Sequence, residues 1–203
     1  MGIQFESTGL HWNYLLALER DVERLSRYVE FDPRNYGCFS LEIARILMAA
    51  GAETDVICRQ MCVAISPGSR PLNIRQYRDE IRKVWPDLPN YKVTIDRFGL
   101  TLRPWDEWNN NDGIPIWWTA YNKIKHRRDS EYHRASLHNA LNAIAGLFVM
   151  VLHLYNERAR AGRLLPPAQL LRVGSAHFLG ETHHGYEIGV NYDVSLPSLN
   201  LST

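Results

Sequence analysis

Residues 132–160 read YHRASLHNALNAIAGLFVMVLHLYNERAR, and this run decides the fold class. Leu137, Leu141, Ile144, Leu147, Phe148, Val151 and Leu154 recur at the three- and four-residue spacing of a helix. A helix this apolar over so many turns has to be covered by other elements. Just upstream, Ile114 to His126 reads as another helix, entered through Pro115, a residue suited to a first helical turn. Joined, the two would form one helix of roughly 70 Å at 1.5 Å per residue. That is too long for a domain of this size, so a break is predicted between His126 and His133.

Outward from this pair the pattern stays helical. A helix is predicted from about Leu10 to Val29, with Trp12, Leu15, Leu16, Val22 and Leu25 on its apolar face. Asp32-Pro33-Arg34-Asn35 breaks it. A second runs from Ser40 to about Ile65, ended by Ser66-Pro67-Gly68-Ser69, and a third from an Asn73 cap to Trp85, stopped by Pro86 and Pro89. Val93–Ile95 and Leu100–Leu102 flank a turn at Asp96–Gly99 and read as a β-hairpin. Gly162 and Pro166-Pro167 end the helical part, and Tyr186–Val194 alternates like a strand, with Gly180 and Gly185 bracketing a turn. The predicted fold is mainly α: a helical bundle over residues 1–162, a small hairpin insertion near 92–102, and a β-containing C-terminal extension over 163–203.

Composition agrees. The chain has 203 residues, 45% hydrophobic and 22% charged, so it is globular rather than disordered. Lys+Arg total 23 and Asp+Glu 22, which excludes a highly basic nucleic-acid packager but not a local basic site. No stretch reaches the ~18 uninterrupted apolar residues of a membrane span, and Met1–Leu10 lacks the features of a signal peptide. The three cysteines, Cys38, Cys58 and Cys62, read as buried thiols in a reducing compartment. The expected location is the cytoplasm, with no membrane partner.

The densest polar cluster is Tyr121-Asn122-Lys123-Ile124-Lys125-His126-Arg127-Arg128-Asp129-Ser130-Glu131-Tyr132-His133. On an unbroken helix, Asn122, His126, Asp129 and His133 fall within about 60° of one another. The same stripe continues into Ala140, Ile144, Leu147 and Val151, so the polar groups would lie on a face that is apolar elsewhere. Two readings follow. In one, the cluster is a structural network at a helix junction, its histidines satisfied in the core, and the protein is a binding or interaction module whose dimer scaffolds a partner. In the other it is an anion site: Lys125, Arg127 and Arg128 supply charge, a guanidinium grips phosphate oxygens, and imidazole moves protons.

Arg128-Asp129-Ser130-Glu131-Tyr132-His133 fits the R-x4-6-H signature of HEPN domains, and Tyr121-Asn122-Lys123-Ile124-Lys125-His126 resembles the YNxxKH lead-in of several bacterial HEPN-like families. Ala135–Ala143 is similar to the start of their last long helix. The resemblance covers roughly Pro115 to Tyr155. It implies an antiparallel helical bundle that dimerises and brings two such motifs into one cleft. Many members are metal-independent endoribonucleases of toxin or antiphage-defence type, some held by an antitoxin protein, while others only bind nucleotide or RNA. By position, Arg128 would hold the scissile phosphate, His133 would transfer a proton and Asp129 would orient one of them. Asn122, Lys125, His126 and Arg127 would contact substrate. Asp129 departs from the commoner Asn, and its charge would tighten Arg128. The resemblance calls for no cofactor and no metal.

Elsewhere the signals are bland. His177, His183 and His184 near Glu181 read as exposed tail histidines before metal ligands. Trp105, Trp108, Trp117 and Trp118 read as packing residues before base-stacking platforms.

Overall fold

The computed structural model describes residues 9–194. The fold is mainly helical with small antiparallel sheets. The helices are α1 (Leu10–Leu25), α2 (Leu41–Ile65), α3 (Ile74–Val84), α4 (Ile116–Glu131), α5 (Leu137–Leu154) and α6 (Asn156–Arg160). The strands are β1 (Val93–Ile95), β2 (Leu100–Leu102), β3 (Arg172–Val173), β4 (Phe178–His184) and β5 (Glu187–Tyr192). Residues 195–203 of the predicted extension lie outside the described residues.

α5 is the centre. Every residue from Leu137 to Leu154 is buried except His138 and Asn139, which are half-buried. α2 is its main partner, and α1 and α4 cover it further. α5 is long and apolar enough to cross a membrane, yet it is enclosed by its own chain. Local chemistry starts α2 and α3 where the sequence places them, whereas α5 begins at Leu137, behind a Ser136 cap, rather than at about Tyr132 where the apolar run is read to start. The Ser40 and Ser136 hydroxyls accept from the N–H groups of Ile43 and Asn139, and the Asn73 side chain accepts from Arg75 and Gln76. Gly146 lets α5 approach α4: a Cβ there would sit 2.8 Å from the Trp117 ring. The Gly146 carbonyl also accepts from Trp105 Nε1 at 3.1 Å. The four tryptophans are buried and in ring contact with one another, edge to face for Trp105–Trp117 and Trp117–Trp118 and tilted for Trp105–Trp108, as packing residues should be.

The hairpin β1–β2 forms with the predicted pairing, Val93 opposite Leu102 and Ile95 opposite Leu100. The tail adds β3 to its free side, with Val93 opposite Val173. Leading up to β3, the buried Glu19 carboxylate accepts from the backbone N–H groups of Gln169, Leu170 and Leu171, and Trp12 Nε1 donates to the Pro166 carbonyl. Leu164, Leu171, Val173 and Tyr192 thereby join the same core as the helices. β4 and β5 form a separate hairpin, anchored where Asn191 donates to the Arg160 carbonyl. Cys58 and Cys62 are buried free thiols, and Cys38 is half-buried.

Candidate functional site

The predicted break falls at Arg127, whose backbone leaves the helix (φ −144°, ψ 49°) inside α4. Up to Ile124, α4 is tied to the core by the buried Trp117, Trp118, Ala120, Tyr121 and Ile124. A Cβ on Gly51 would sit 2.5 Å from the Tyr121 ring, so α2 and α4 touch closely here. Past the kink the chain runs exposed from Arg127 to Ser130 and makes a 3-10 turn at Tyr132–Arg134. It rejoins the core where Leu137 N–H donates to the Cys38 carbonyl and Phe39 bridges Ser136.

This kink overturns one expectation. The polar stripe does not lie on the apolar face: His126, Asp129 and His133 are exposed, and Asn122 is half-buried. Before the kink, Trp117, Trp118, Tyr121 and Ile124 take the core face of α4 and leave Asn122 and His126 off it; beyond it, the non-helical Arg127 breaks the continuity that the projection of Asp129 and His133 assumed. The sealed structural network falls with it. Asp129 does not tighten Arg128 either, since among the described residues no ion pair joins them. Arg128 instead lies over the Tyr132 ring, 5.2 Å from its centroid, and Tyr132 meets Phe39 edge-on at 5.6 Å. Glu131 pairs with Arg134, whose guanidinium holds its carboxyl below the usual range.

A groove of about 630 Å³ opens between α2, the start of α3 and α4. Four of the predicted residues line it together: Asn122, Lys125, His126 and Arg127. Arg128, Asp129 and His133 lie outside its lining, on the exposed segment beyond the kink. Arg59 from α2, Arg75 from α3 and Lys123 from α4 complete a cationic wall, and Asp55 is the one carboxylate among the lining residues. Asp55 is already engaged. Its Oδ2 accepts from Arg59 at 2.7 Å and its Oδ1 from the Tyr77 hydroxyl at 2.9 Å. Burial pushes the Tyr77 hydroxyl up to about 12, so it stays protonated and donates. Lys125 Nζ rests 5.5 Å over the Tyr121 ring, a position that keeps its charge at the groove. Asn122 donates to the Trp118 carbonyl at 3.2 Å, which leaves its own carbonyl oxygen as an acceptor. The first turn of α3 adds the positive end of a helix dipole. The groove is thus suited to a polyanion carrying spaced negative charges.

Arg59 and Arg75 were not legible as site residues. Each sits on an ordinary solvated helix face in sequence, and only the packing of α2 and α3 against α4 brings them to the groove. Among the described residues no three His, Cys, Asp or Glu side chains gather as metal ligands. His184 Nε2 lies 3.0 Å from the Gly162 carbonyl, and His177 stacks on Tyr91 at 3.7 Å. Compared with protein-family models, curated proteins and solved structures, the chain finds no match.

Proposed function

We propose that this protein is an RNA-binding, metal-independent endoribonuclease of HEPN type that works as a dimer. The observation that carries the reading is one of placement. Arg128 and His133 stand exposed on the segment that leaves a groove walled by Arg59, Arg75, Lys123, Lys125 and Arg127. The groove would hold the sugar-phosphate backbone through its charge, which is the sequence-independent part of nucleic-acid affinity. The 2′-oxygen of the substrate would attack the adjacent phosphorus and break the bond to the 5′-oxygen. The products are a 2′,3′-cyclic phosphate and a 5′-hydroxyl end. His133 would accept or donate the proton, and Arg128 would stabilise the charge gathering on the phosphoryl oxygens. α5 is enclosed by its own chain, so a symmetric partner would have to meet the exposed end of α4 and the segment after it. A toxin or antiphage-defence role, with an antitoxin partner, belongs to the same proposal.

The test is incubation of purified protein with mixed RNA in EDTA. Cleavage to cyclic-phosphate ends is expected, falling by about 10²–10⁴ in His133→Ala, the usual scale of positioned acid–base catalysis. The alternative is a non-catalytic module that binds nucleotide or RNA or serves protein interaction; intact RNA that nevertheless binds, with affinity lost on neutralising Lys125 and Arg127, would favour its nucleotide- or RNA-binding form. The charge of the groove is the observation that supports that alternative.

A further inference from the structure

A second cavity, of about 590 Å³, shares none of the residues discussed above as catalytic or groove-lining. Its volume is in the range of small-ligand sites. The first turns of α5 contribute His138, Asn139 and Asn142, the turn after β2 contributes Arg103, and the loop before α4 contributes Asp106 and Glu107. Tyr36 closes one side with its ring 4.7 Å from that of His138.

The polar atoms of this cavity are already sorted. Asn142, more than nine-tenths buried, donates its amide to the His138 carbonyl, and its own carbonyl oxygen is left over. Asn139 donates to the Arg134 carbonyl at 2.9 Å, which likewise leaves an acceptor. Glu107 takes the Ile116 N–H on one carboxylate oxygen and keeps the other. Asp106 accepts only from Asn109, at 3.3 Å, among the described residues. Burial lowers the affinity of His138 for a proton, so a neutral ring, rather than a cation, stands beside Tyr36. What remains is a set of acceptors, one guanidinium and an aromatic wall.

A ligand that satisfies all three is flat, carries adjacent N–H donors on one edge and presents acceptors on another. Guanine is the base of that description. Its N1–H and N2–H₂ suit a carboxylate, and its O6 and N7 suit an arginine fork. Adenine and cytosine offer an amino group beside a ring acceptor, and uracil offers a single donor between two acceptors. An aliphatic cation would use neither the aromatic wall nor Arg103. We propose that this cavity receives a guanine base of the RNA substrate, with Glu107 and Arg103 as the discriminating groups. This rests on the ribonuclease reading for its substrate. The Asn139–Arg134 hydrogen bond supplies the connection, because it fixes the end of the segment that carries His133. A base held here would select which phosphodiester reaches that segment.

The experiment measures binding of guanosine 5′-monophosphate by calorimetry, with the adenosine, cytidine and uridine monophosphates as controls. All four carry the same phosphate, so the cationic groove contributes equally. Guanosine monophosphate should bind roughly tenfold or more tighter than the others. Glu107→Gln should abolish the preference while keeping the fold, because its amide oxygen still accepts from Ile116. Equal binding of all four, or a preference unchanged in Glu107→Gln, overturns the proposal. Cleavage of mixed RNA without base preference, together with equal binding, removes the guanine site and leaves the ribonuclease reading standing. Selective guanosine monophosphate binding by a protein that never cleaves RNA does the reverse.

Discussion

Two neighbouring regions, residues 115–126 and residues 127–134, look alike as sequence and behave differently as structure. Both carry at least two lysine or arginine residues, at least one aromatic residue and one histidine. The first is one continuous helix whose buried Trp117, Trp118, Tyr121 and Ile124 lock it to α2 and α5. Its polar side chains are therefore aimed by the core. The second has a non-helical residue at its start and exposed side chains from Arg127 to Ser130, and its contacts include the Glu131–Arg134 ion pair, Arg128 over Tyr132, Tyr132 against Phe39 and the Asn139 hydrogen bond at its end. Charge in the first region is held on a rail, whereas the candidate catalytic groups in the second are held by little within one chain. This is the local-stability contrast of many binding sites, where a rigid scaffold carries a less anchored functional segment.

The sharpest break of this comparison is on the rail. Trp117→Ala removes a nearly fully buried ring whose Nε1 donates to the Pro104 carbonyl at 2.7 Å. The expected loss is about 3–5 kcal/mol, read as a shift in denaturant midpoint. A loss under about 1 kcal/mol would mean that α4 is not locked as described.

Acid should act on the same side of the comparison, through the core. His153 is buried between Trp85 and Tyr91, and its Nδ1 lies 2.7 Å from the Val149 carbonyl. Burial pulls its pKa down to about 4. A histidine with a depressed folded pKa contributes fully above its unfolded value, about 6.5. As pH falls from there to about 4, the unfolded chain takes up the proton first and stability declines. The size is on the order of 3 kcal/mol. His138 and His177 are also lowered by burial and act in the same direction. His153→Phe should flatten most of this interval in denaturation measured from pH 7 to pH 4. An unchanged slope would assign the acid sensitivity elsewhere.

Much of the rail was legible in sequence. The caps at Ser40 and Asn73 and the entry at Pro115 are local signals, and α2, α3 and α4 begin where they stand; the apolar period places α5 but not its ends, since the run from Tyr132 to Arg160 becomes helical only at Leu137 and is interrupted at Tyr155. The first helix stops at Leu25 rather than Val29, because a turn follows it directly. The break near His126 was readable from length alone, but its consequence was not, since a helical projection loses its meaning at the first residue that leaves the helix. The third strand was also out of reach: two residues are too few for alternation to register, and the Glu19 contacts that lead into it span about 150 positions. The groove was half legible. Asn122, Lys125, His126 and Arg127 share one segment, whereas Arg59 and Arg75 arrive from helices whose packing no local pattern specifies.

The smallest expected effect on stability falls on Arg128, and it decides what the second region is for. In a sealed network, truncating Arg128 would strand a buried carboxylate at roughly 3–5 kcal/mol. Among the described residues the exposed Arg128 has no such partner. It leans on Tyr132, a contact worth ~0.5–1 kcal/mol at an exposed site. Arg128→Ala should therefore unfold within about 1 kcal/mol of the parent, and Arg128→Lys closer still. If the residue serves a phosphate, the same two substitutions should separate in RNA cleavage. Alanine removes the charge and the fork together, while lysine restores the charge alone, so lysine should fall between alanine and the parent. Unfolding curves and RNA cleavage measured on the three proteins make the comparison. A large stability loss in Arg128→Ala with undiminished RNA handling would return this segment to a structural role, and the contrast between the two regions would disappear with it.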